Sequence, residues 1–244
     1  MAVSARSGTG VSVNDSGVDD MYAPQVFLVK VERGPMKSNN YLVVDPLTHQ
    51  AVVIDPAWEL DKLQAELERT QSHLSGILIT HTHSDHIDLA RTMAEFYNCP
   101  IWMSHEEIAF SGFDARQLVP IGQASWSVGG MRIEPILTPG HTPGCVSFLI
   151  SDNLFTGDVL FAEGCGICFQ VDAAYAMFES LQYLKTRVSP QTHVFPGHTY
   201  VRPPGQKLSE LMRYNIYLQF ADKETFAAYR LRKGQGGGKI LDFR

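Results

Sequence analysis

The apolar positions of this chain follow two rhythms that alternate along its length. QVFLVKVE (25–32), YLVVD (41–45) and AVVID (51–55) are rich in β-branched and aromatic residues and are separated by turn formers, which predicts three successive strands. In WELDKLQAELERTQ (58–71), Leu60, Leu63 and Leu67 recur at helical spacing with charges between them, so an amphipathic helix is expected there. GILIT (76–80) is a short unbroken apolar run, as a strand buried on both faces would be. DLARTMAEFY (88–97) returns to the helical period and IWM (101–103) to the strand. The second half repeats the alternation. MRIEPIL (131–137), CVSFLI (145–150), NLFTGD (153–158) and HVFPG (193–197) predict strands broken by Gly and Pro. DAAYAMFESLQYLKTRV (172–188) and KLSELMRYNIYLQF (207–220) predict helices. Two strand-rich halves, each with its own helices, imply an α/β sandwich: two mixed β-sheets packed face to face and flanked by helices.

At 244 residues the chain is expected to form one large domain over residues 23–233. Residues 1–22 lack periodicity and read as a disordered N-terminal tail, and the glycine-rich run from 234 begins a flexible C-terminal tail ending at 244. A hydrophobic content of 44% with 19% charged residues suits a globular enzyme. The net charge of −6 argues against a general nucleic-acid or membrane binder. No apolar run approaches the ~18–20 residues a membrane span needs. The first residues lack the apolar core of a secretory signal, and Cys99, Cys145, Cys165 and Cys168 do not form a secreted disulfide framework. A reducing, cytoplasmic setting is therefore expected.

Three of the nine histidines fall within HTHSDH (81–86). Imidazole is the commonest protein ligand for zinc and related metals, and carboxylates supply harder ligands, so His81, His83, Asp85 and His86 are candidate ligands. Alternation at 81, 83 and 85 sends side chains to one side of an extended strand end, and a turn into the next helix swings Asp85 and His86 to a neighbouring point. This spacing favours two metal positions over one. Three further candidates stand at later strand exits: His141 in LTPGHTPG, Asp158 at the end of LFTGD, and His198 at the end of VFPGH. Singly, each reads as a turn residue; together they complete a site of the kind that loops build on a rigid scaffold.

HTHSDH followed by PGH, TGD and PGH resembles the metallo-β-lactamase superfamily, and more narrowly its glyoxalase II-like branch, from about residue 25 to about 220. The resemblance implies an αββα sandwich. It also implies that His81, His83 and His141 hold a first metal and that Asp85, His86 and His198 hold a second, with Asp158 bridging. Asp55, in VVIDPA, matches a buried aspartate that supports the site without ligating metal. Two Zn²⁺ ions are the implied cofactors, with iron or manganese as alternatives.

Two cations sharing a water lower its pKa from 15.7 towards ~7, and the bridging hydroxide then attacks a carbonyl that the same cations polarise. Asp85 is placed to orient that nucleophile as well as to bind metal. An amine leaving group needs a proton donor, whereas a thiolate, from a thiol of pKa about 8.5, leaves nearly unaided. Thioester hydrolysis is thus the least demanding chemistry. In glyoxalase II the loop after the bridging aspartate carries a cation that helps bind glutathione; FAEGCGICFQ has Ile167 there, while Tyr200 matches the tyrosine after the last ligand.

EGCGIC, GHTYVRPPG and the C-terminal stretch are more similar to stand-alone zinc hydrolases associated with modular polyketide synthases. That similarity implies an acyl thioester substrate on the phosphopantetheine arm of an acyl carrier protein. Carrier proteins are acidic, and Arg202, Lys207, Arg213, Arg230, Arg232 and Lys233 give this end a basic bias, with Arg230 and Arg232 the named candidate contacts; a solvated charged face explains the same residues. Rival readings are a glutathione thioesterase, a persulfide dioxygenase using a single iron, and a scaffold with purely structural metals. Cys165 and Cys168 form a C-x-x-C without a second pair and are expected to be inert, and His49, His73, His105 and His193 lack ligand context. Tyr175, Phe178, Tyr217 and Phe220 could line an acyl pocket, but helix packing is their expected role.

Overall fold

A computed structural model describes residues 23–232, so the expected tails and Lys233 lie outside the described residues. The first sheet runs in sequence order: β1 (Gln25–Arg33), β2 (Met36–Val44), β3 (Gln50–Ile54), β4 (His73–Leu78), β5 (Ile101–Ser104) and β6 (Leu118–Ile121). It is antiparallel from β1 to β3 and parallel from β3 onward. The second sheet, in spatial order, holds β12 (Gln206–Lys207), β11 (His193–Pro196), β10 (Asn153–Gly157), β9 (Val146–Ile150), β8 (Met131–Leu137) and β7 (Trp126–Val128). Only its β10–β11 pair is parallel. Helices α1 (Leu60–Arg69), α2 (Ser84–Ile87), α3 (Ala90–Tyr97) and α4 (His105–Ser111) belong to the first half. The second half carries α5 (Val171–Arg187), α6 (Leu208–Tyr214) and α7 (Lys223–Arg230). Two mixed sheets flanked by helices, the expected architecture, is the observed one.

Strand periodicity sorts the apolar side chains into layers. Along β2 and β3, Leu42, Val44, Ala51 and Val53 face α1 and α3, while Tyr41, Val43, Val52 and Ile54 face the opposite sheet. There they meet Ile133, Phe148, Ile150 and Phe155 of the second sheet. A third cluster joins that sheet to α5, α6 and α7 through Leu154, Val194, Leu181, Leu211 and Phe226. Central strands are therefore buried on both faces, which is why they read as unbroken apolar runs. Each fully buried Leu, Ile or Phe contributes about 1.5–3 kcal/mol. Phe178 and Tyr217 are buried in the third cluster and Tyr175 and Phe220 pack against it, in the expected helix-packing role.

Several boundaries differ from the sequence reading for identifiable reasons. Strand β2 begins at Met36, five residues before the apolar run, because Ser38, Asn39 and Asn40 are buried with their side chains hydrogen-bonded. The Asn39 amide donates to Pro196 O (2.9 Å), and Asn40 Oδ1 accepts from Ala57 N (3.0 Å). The helix expected over 88–97 is α3, which begins at Ala90, and a separate short helix, α2, precedes it over Ser84–Ile87. The closing helix breaks at Asn215, whose side chain donates to Phe161 O and Gly164 O, both 3.0 Å away, and accepts from Tyr217 N. Short elements α4, β6, β7 and α7 were not anticipated.

All four cysteines are buried and unpaired in disulfides. Cys165 and Cys168 sit in the third apolar cluster, and burial raises the thiol of Cys168 to about 11 and that of Cys165 well above its ordinary value. Thiolate, the reactive form, is therefore scarce at neutral pH. A thiol-titrating disulfide reagent should find no fast-reacting cysteine in the native protein and four after denaturation. A rapid native equivalent would contradict the inert reading of the C-x-x-C.

Candidate metal centre

The candidate ligands gather where strands of both sheets end. Asp55 follows β3, the segment 79–83 follows β4, Asp158 follows β10 and His198 lies just beyond β11. Parallel strands point their carboxyl ends the same way, so residues distant in sequence emerge on one rim. His83 caps α2 with extended backbone (φ −64°, ψ 146°), so the chain is still strand-like as it passes His81 and His83. Extended geometry puts both rings on one side, with His81 Nε2 3.1 Å from His83 Nδ1. His141, from the loop after β8, brings its Nε2 to 2.9 Å from the same His83 nitrogen. Burial lowers the basicity of His81 strongly and of His83 less so, which keeps their rings neutral with lone pairs available.

Asp85 departs from the alternation expected of it, because it lies on the first turn of α2 and not on extended chain. The helical turn carries it towards His86 and His198. Asp85 Oδ2 is 3.5 Å from His86 Nε2 and 3.3 Å from His198 Nε2. Asp158 reaches both groups: its oxygens lie 3.4 Å from His86 Nε2, 3.3 Å from His198 Nε2 and 3.6 Å from His141 Nε2.

Surrounding acceptors fix which ring nitrogen faces inward. His86 Nδ1 donates to Asp55 Oδ2 (2.9 Å), His141 Nδ1 to Ile167 O (3.0 Å) and His198 Nδ1 to Lys37 O (2.7 Å). Each bond turns Nδ1 outward and aims Nε2 into the cluster, as in sites where a histidine ligand is oriented through its other nitrogen. Asp55 also accepts from Thr80 N (2.8 Å) and Thr80 Oγ1 (2.6 Å), and these bonds hold it in a left-handed backbone conformation (φ 52°). With His81 and His86 it forms a third cluster of ligand-type atoms, but its oxygens are already engaged. Among the described residues, His86 Nε2, His198 Nε2 and Asp158 Oδ1 are buried and find no hydrogen-bond partner.

An orphaned buried polar atom costs about 1–3 kcal/mol, and a cation among these three satisfies all of them. Burial alone would raise the Asp158 carboxyl and lower the His198 imidazole. Their mutual attraction outweighs it, holding Asp158 well below the carboxylate range and His198 well above the imidazole range. Asp85, despite burial, is held at about 2 by His198 and the charge of His86. Imidazole nitrogens and carboxylate oxygens converging in this way fit a zinc-like divalent metal.

Glycine permits the crowding. A Cβ on Gly197 would lie 2.5 Å from Asp158 Oδ1 and 2.6 Å from His86 Cε1, and its backbone is pinned by bonds to Gly157 O and from Asn39 N, each 2.8 Å.

Substrate-contact candidates fare differently. Ile167 is half-buried and acts on the site through the carbonyl that holds His141. Tyr200 is half-buried, its ring 5.4 Å from that of Phe161 and 6.3 Å from that of His198. Arg230 corrects the expectation of a basic surface. It is buried, because the last turn of α7 faces inward and its Nε donates to Gly166 O (2.8 Å). Arg232 is exposed and lies over the Tyr229 ring. Arg202 and Arg213 are exposed too, Arg202 lying 3.9 Å from the centre of the Tyr214 ring. Sequence reasoning missed Ser38, whose hydroxyl donates to Asp85 Oδ2 (3.1 Å), and Glu107, a buried carboxylate beside Thr82 and Thr142. The polar run KSNN inside a strand was the available signal for Ser38; Glu107 left none.

A profile of the metallo-beta-lactamase superfamily matches residues 33–198, a span that contains every candidate ligand. The chain belongs to this superfamily. Among curated relatives, "Probable polyketide biosynthesis zinc-dependent hydrolase BaeB" of Bacillus velezensis is 44% identical, over 81% of this chain and 88% of that protein. "Probable polyketide biosynthesis zinc-dependent hydrolase PksB" of Bacillus subtilis is 39% identical, over 84% and 91%. A hydroxyacylglutathione hydrolase of Glaesserella parasuis is 34% identical, over 69% of each. The crystal structure of a metallo-beta-lactamase from Staphylococcus aureus superposes with a TM-score of 0.77 at 22% identity, covering 86% of this chain and 68% of that one, a likeness of fold. That of ETHE1 from Myxococcus xanthus gives 0.73 at 26% identity, covering 88% and 95%. The expected resemblance and the enzyme class, a hydrolase, are borne out by these relatives. No helix among the described residues is long and apolar enough to cross a membrane.

Replacing Gly197 by Ala should evict metal from this superfamily member while leaving the strands intact. Protein purified with zinc and gel-filtered should lose at least half of its bound metal by elemental analysis, with unchanged far-ultraviolet circular dichroism. Full metal content would refute the close-approach argument.

Proposed function

We propose that this protein is a binuclear zinc thioesterase acting on an acyl chain carried by an acyl carrier protein or a related phosphopantetheine thiol. The observation that carries the binuclear reading is Asp158, whose carboxylate lies within 3.6 Å of histidine nitrogens from both ligand groups. His81, His83 and His141 hold one cation in this reading, and Asp85, His86 and His198 hold the other. When bound, the cations acidify a shared water and polarise the thioester carbonyl. Asp85, ionised at neutral pH and fixed by the Ser38 hydroxyl, accepts a hydrogen bond from the nucleophile and aims it. Asp55 keeps the His86 ring turned with Nε2 inward. Departure of a thiolate requires no protein acid, in keeping with a site rich in ligands and poor in proton donors. Burial and the nearby Asp158 and Asp85 carboxylates raise the Tyr200 phenol, so it remains a hydrogen-bond donor to the substrate.

The carrier part of the proposal draws on a cleft of ≈ 400 Å³ beside the second ligand group. Ser38, Thr199 and Tyr200 form its inner wall, and Lys30, Lys37 and Lys62 contribute cations further out. Among the described residues, Lys37 pairs with exposed Glu32 at 3.9 Å and Lys62 with half-buried Glu59 at 2.8 Å, and such surface pairs are worth little. A pantetheine phosphate can recruit the same ammonium groups. Ile167 leaves the loop after Asp158 without the cation expected of a glutathione enzyme, so the positive charge of this site comes from the first sheet and α1 instead.

Zinc-quantified protein should be assayed side by side on acyl-glutathione, acyl-coenzyme A and acyl-carrier-protein thioesters. We expect two zinc ions per chain and a kcat/KM at least tenfold higher for the carrier-protein thioester than for acyl-glutathione. One iron per chain with oxygen uptake, or a preference for glutathione, would sink the proposal. Asp85→Asn should lower kcat by about 10²–10⁴. Unchanged turnover with intact metal would leave the metals a structural role only. Lys30→Ala combined with Lys37→Ala should raise KM for the carrier substrate severalfold with little change in kcat.

A further inference from the structure

Glu107 is fully buried on the first turn of α4, and among the described residues no lysine or arginine forms an ion pair with it. A carboxylate so placed is costly unless its oxygens are well engaged. Oε1 accepts from Thr82 N (2.7 Å) and Thr82 Oγ1 (2.6 Å), and Oε2 accepts from Thr142 Oγ1 (2.5 Å). Thr82 stands between His81 and His83, and Thr142 directly follows His141. One carboxylate therefore grips both loops that deliver the three imidazoles of the first group, although those loops leave different sheets.

The surroundings hold Glu107 itself in register. Ser104 caps α4, its Oγ accepting from Glu107 N (3.0 Å) and donating to Gly144 O (2.6 Å) in the His141 loop. A Cβ on Gly144 would overlap the backbone of Glu106 and Glu107, so the loop lies directly on the helix. Five hydrogen bonds thus link α4, the HTHSDH loop and the PGHTPG loop into one unit, and none of their atoms belongs to a ligand side chain.

We infer that Glu107 is the positioning residue of the first ligand group, setting the separation of His81 and His83 from His141 and so the affinity of that position for metal. This rests on the reading that those three histidines hold a cation. Metal affinity of the full chain should be measured by competition with a chromophoric chelator, and Co²⁺ substitution should be followed by its visible absorption. Glu107→Ala should weaken one of two metal equivalents by about 10–100-fold and alter the Co²⁺ bands, leaving the other equivalent within about twofold. Glu107→Gln, which still accepts from Thr82, should recover much of that affinity and restore the bands. If Glu107→Ala does not fold, Thr142→Val carries the test: it preserves shape, removes the bond to Oε2, and should weaken the same equivalent severalfold. A folded Glu107→Ala protein, or failing that Thr142→Val, with wild-type affinities and spectra would overturn the inference. Wild-type protein that binds no metal would instead overturn the reading beneath it.

Discussion

Five imidazoles and two carboxylates converge at one rim, with His81, His86, His198 and both carboxylates buried and His83 open to solvent, and some of their inward atoms meet no hydrogen-bond partner among the described residues. The cost of leaving buried polar atoms without partners presses such a cluster apart. What holds it together is an outer layer of fixed acceptors: the Asp55 carboxylate, the Ile167 carbonyl and the Lys37 carbonyl, each taking the Nδ1 proton of a different ring. Those acceptors sit just after β3, on the loop after Asp158 and on β2, so the cluster constrains both sheets at once. The fold's rim is built around that constraint.

Layered packing explains how so much polarity is tolerated at the rim. Below it, the two inner faces close over Tyr41, Phe148 and Phe155, leaving the strand ends as the only places where polar side chains can converge with little apolar competition. Tyr41 shows the transition: its ring packs edge-on against Phe155 at 5.4 Å while its hydroxyl donates to Pro196 O (2.6 Å), two residues before His198. Rigid strands set the coarse positions. Gly197, just beyond β11, then lets the backbone approach Asp158 and His86 more closely than a side chain would allow, and Gly157 at the end of β10 makes room for the Thr80 side chain that bonds Asp55.

The succession of strands and helices and the clustering of candidate ligands were legible in the sequence because apolar runs and HTHSDH are local signals. Non-local polar interactions were not. KSNN reads as a loop by composition, yet it is strand, since Asn39 and Asn40 bond across to Pro196 and Asp55. Glu107 looks like one of many acidic residues on a short helix, and only the folding of two distant loops around it reveals its burial. Arg230 was legible as a charge but not as a buried one, because the inward turn of α7 depends on packing against α5. Asp85 stands beside His86 and His198 for a reason the alternation did not carry: α2 starts earlier than the hydrophobic period suggests, and a helical turn, not strand alternation, aims its carboxylate.

Arg230 also bears on how the loop after Asp158 is used. In the glyoxalase II-like pattern that loop carries a cation towards the substrate; here Ile167 takes the place, and the guanidinium arrives from the end of α7 to grip Gly166 O from behind. A cation bonded to the loop's backbone stiffens it, and with it the Ile167 carbonyl that orients His141. The C-terminal helix thereby supports the first ligand group, while the exposed lysines beside Tyr200 come from β1, β2 and α1. Positive charge has moved from the second half of the chain to the first. A carrier whose phosphate lies well away from the scissile bond is better matched by that outer placement than a compact thiol whose charges lie close to it.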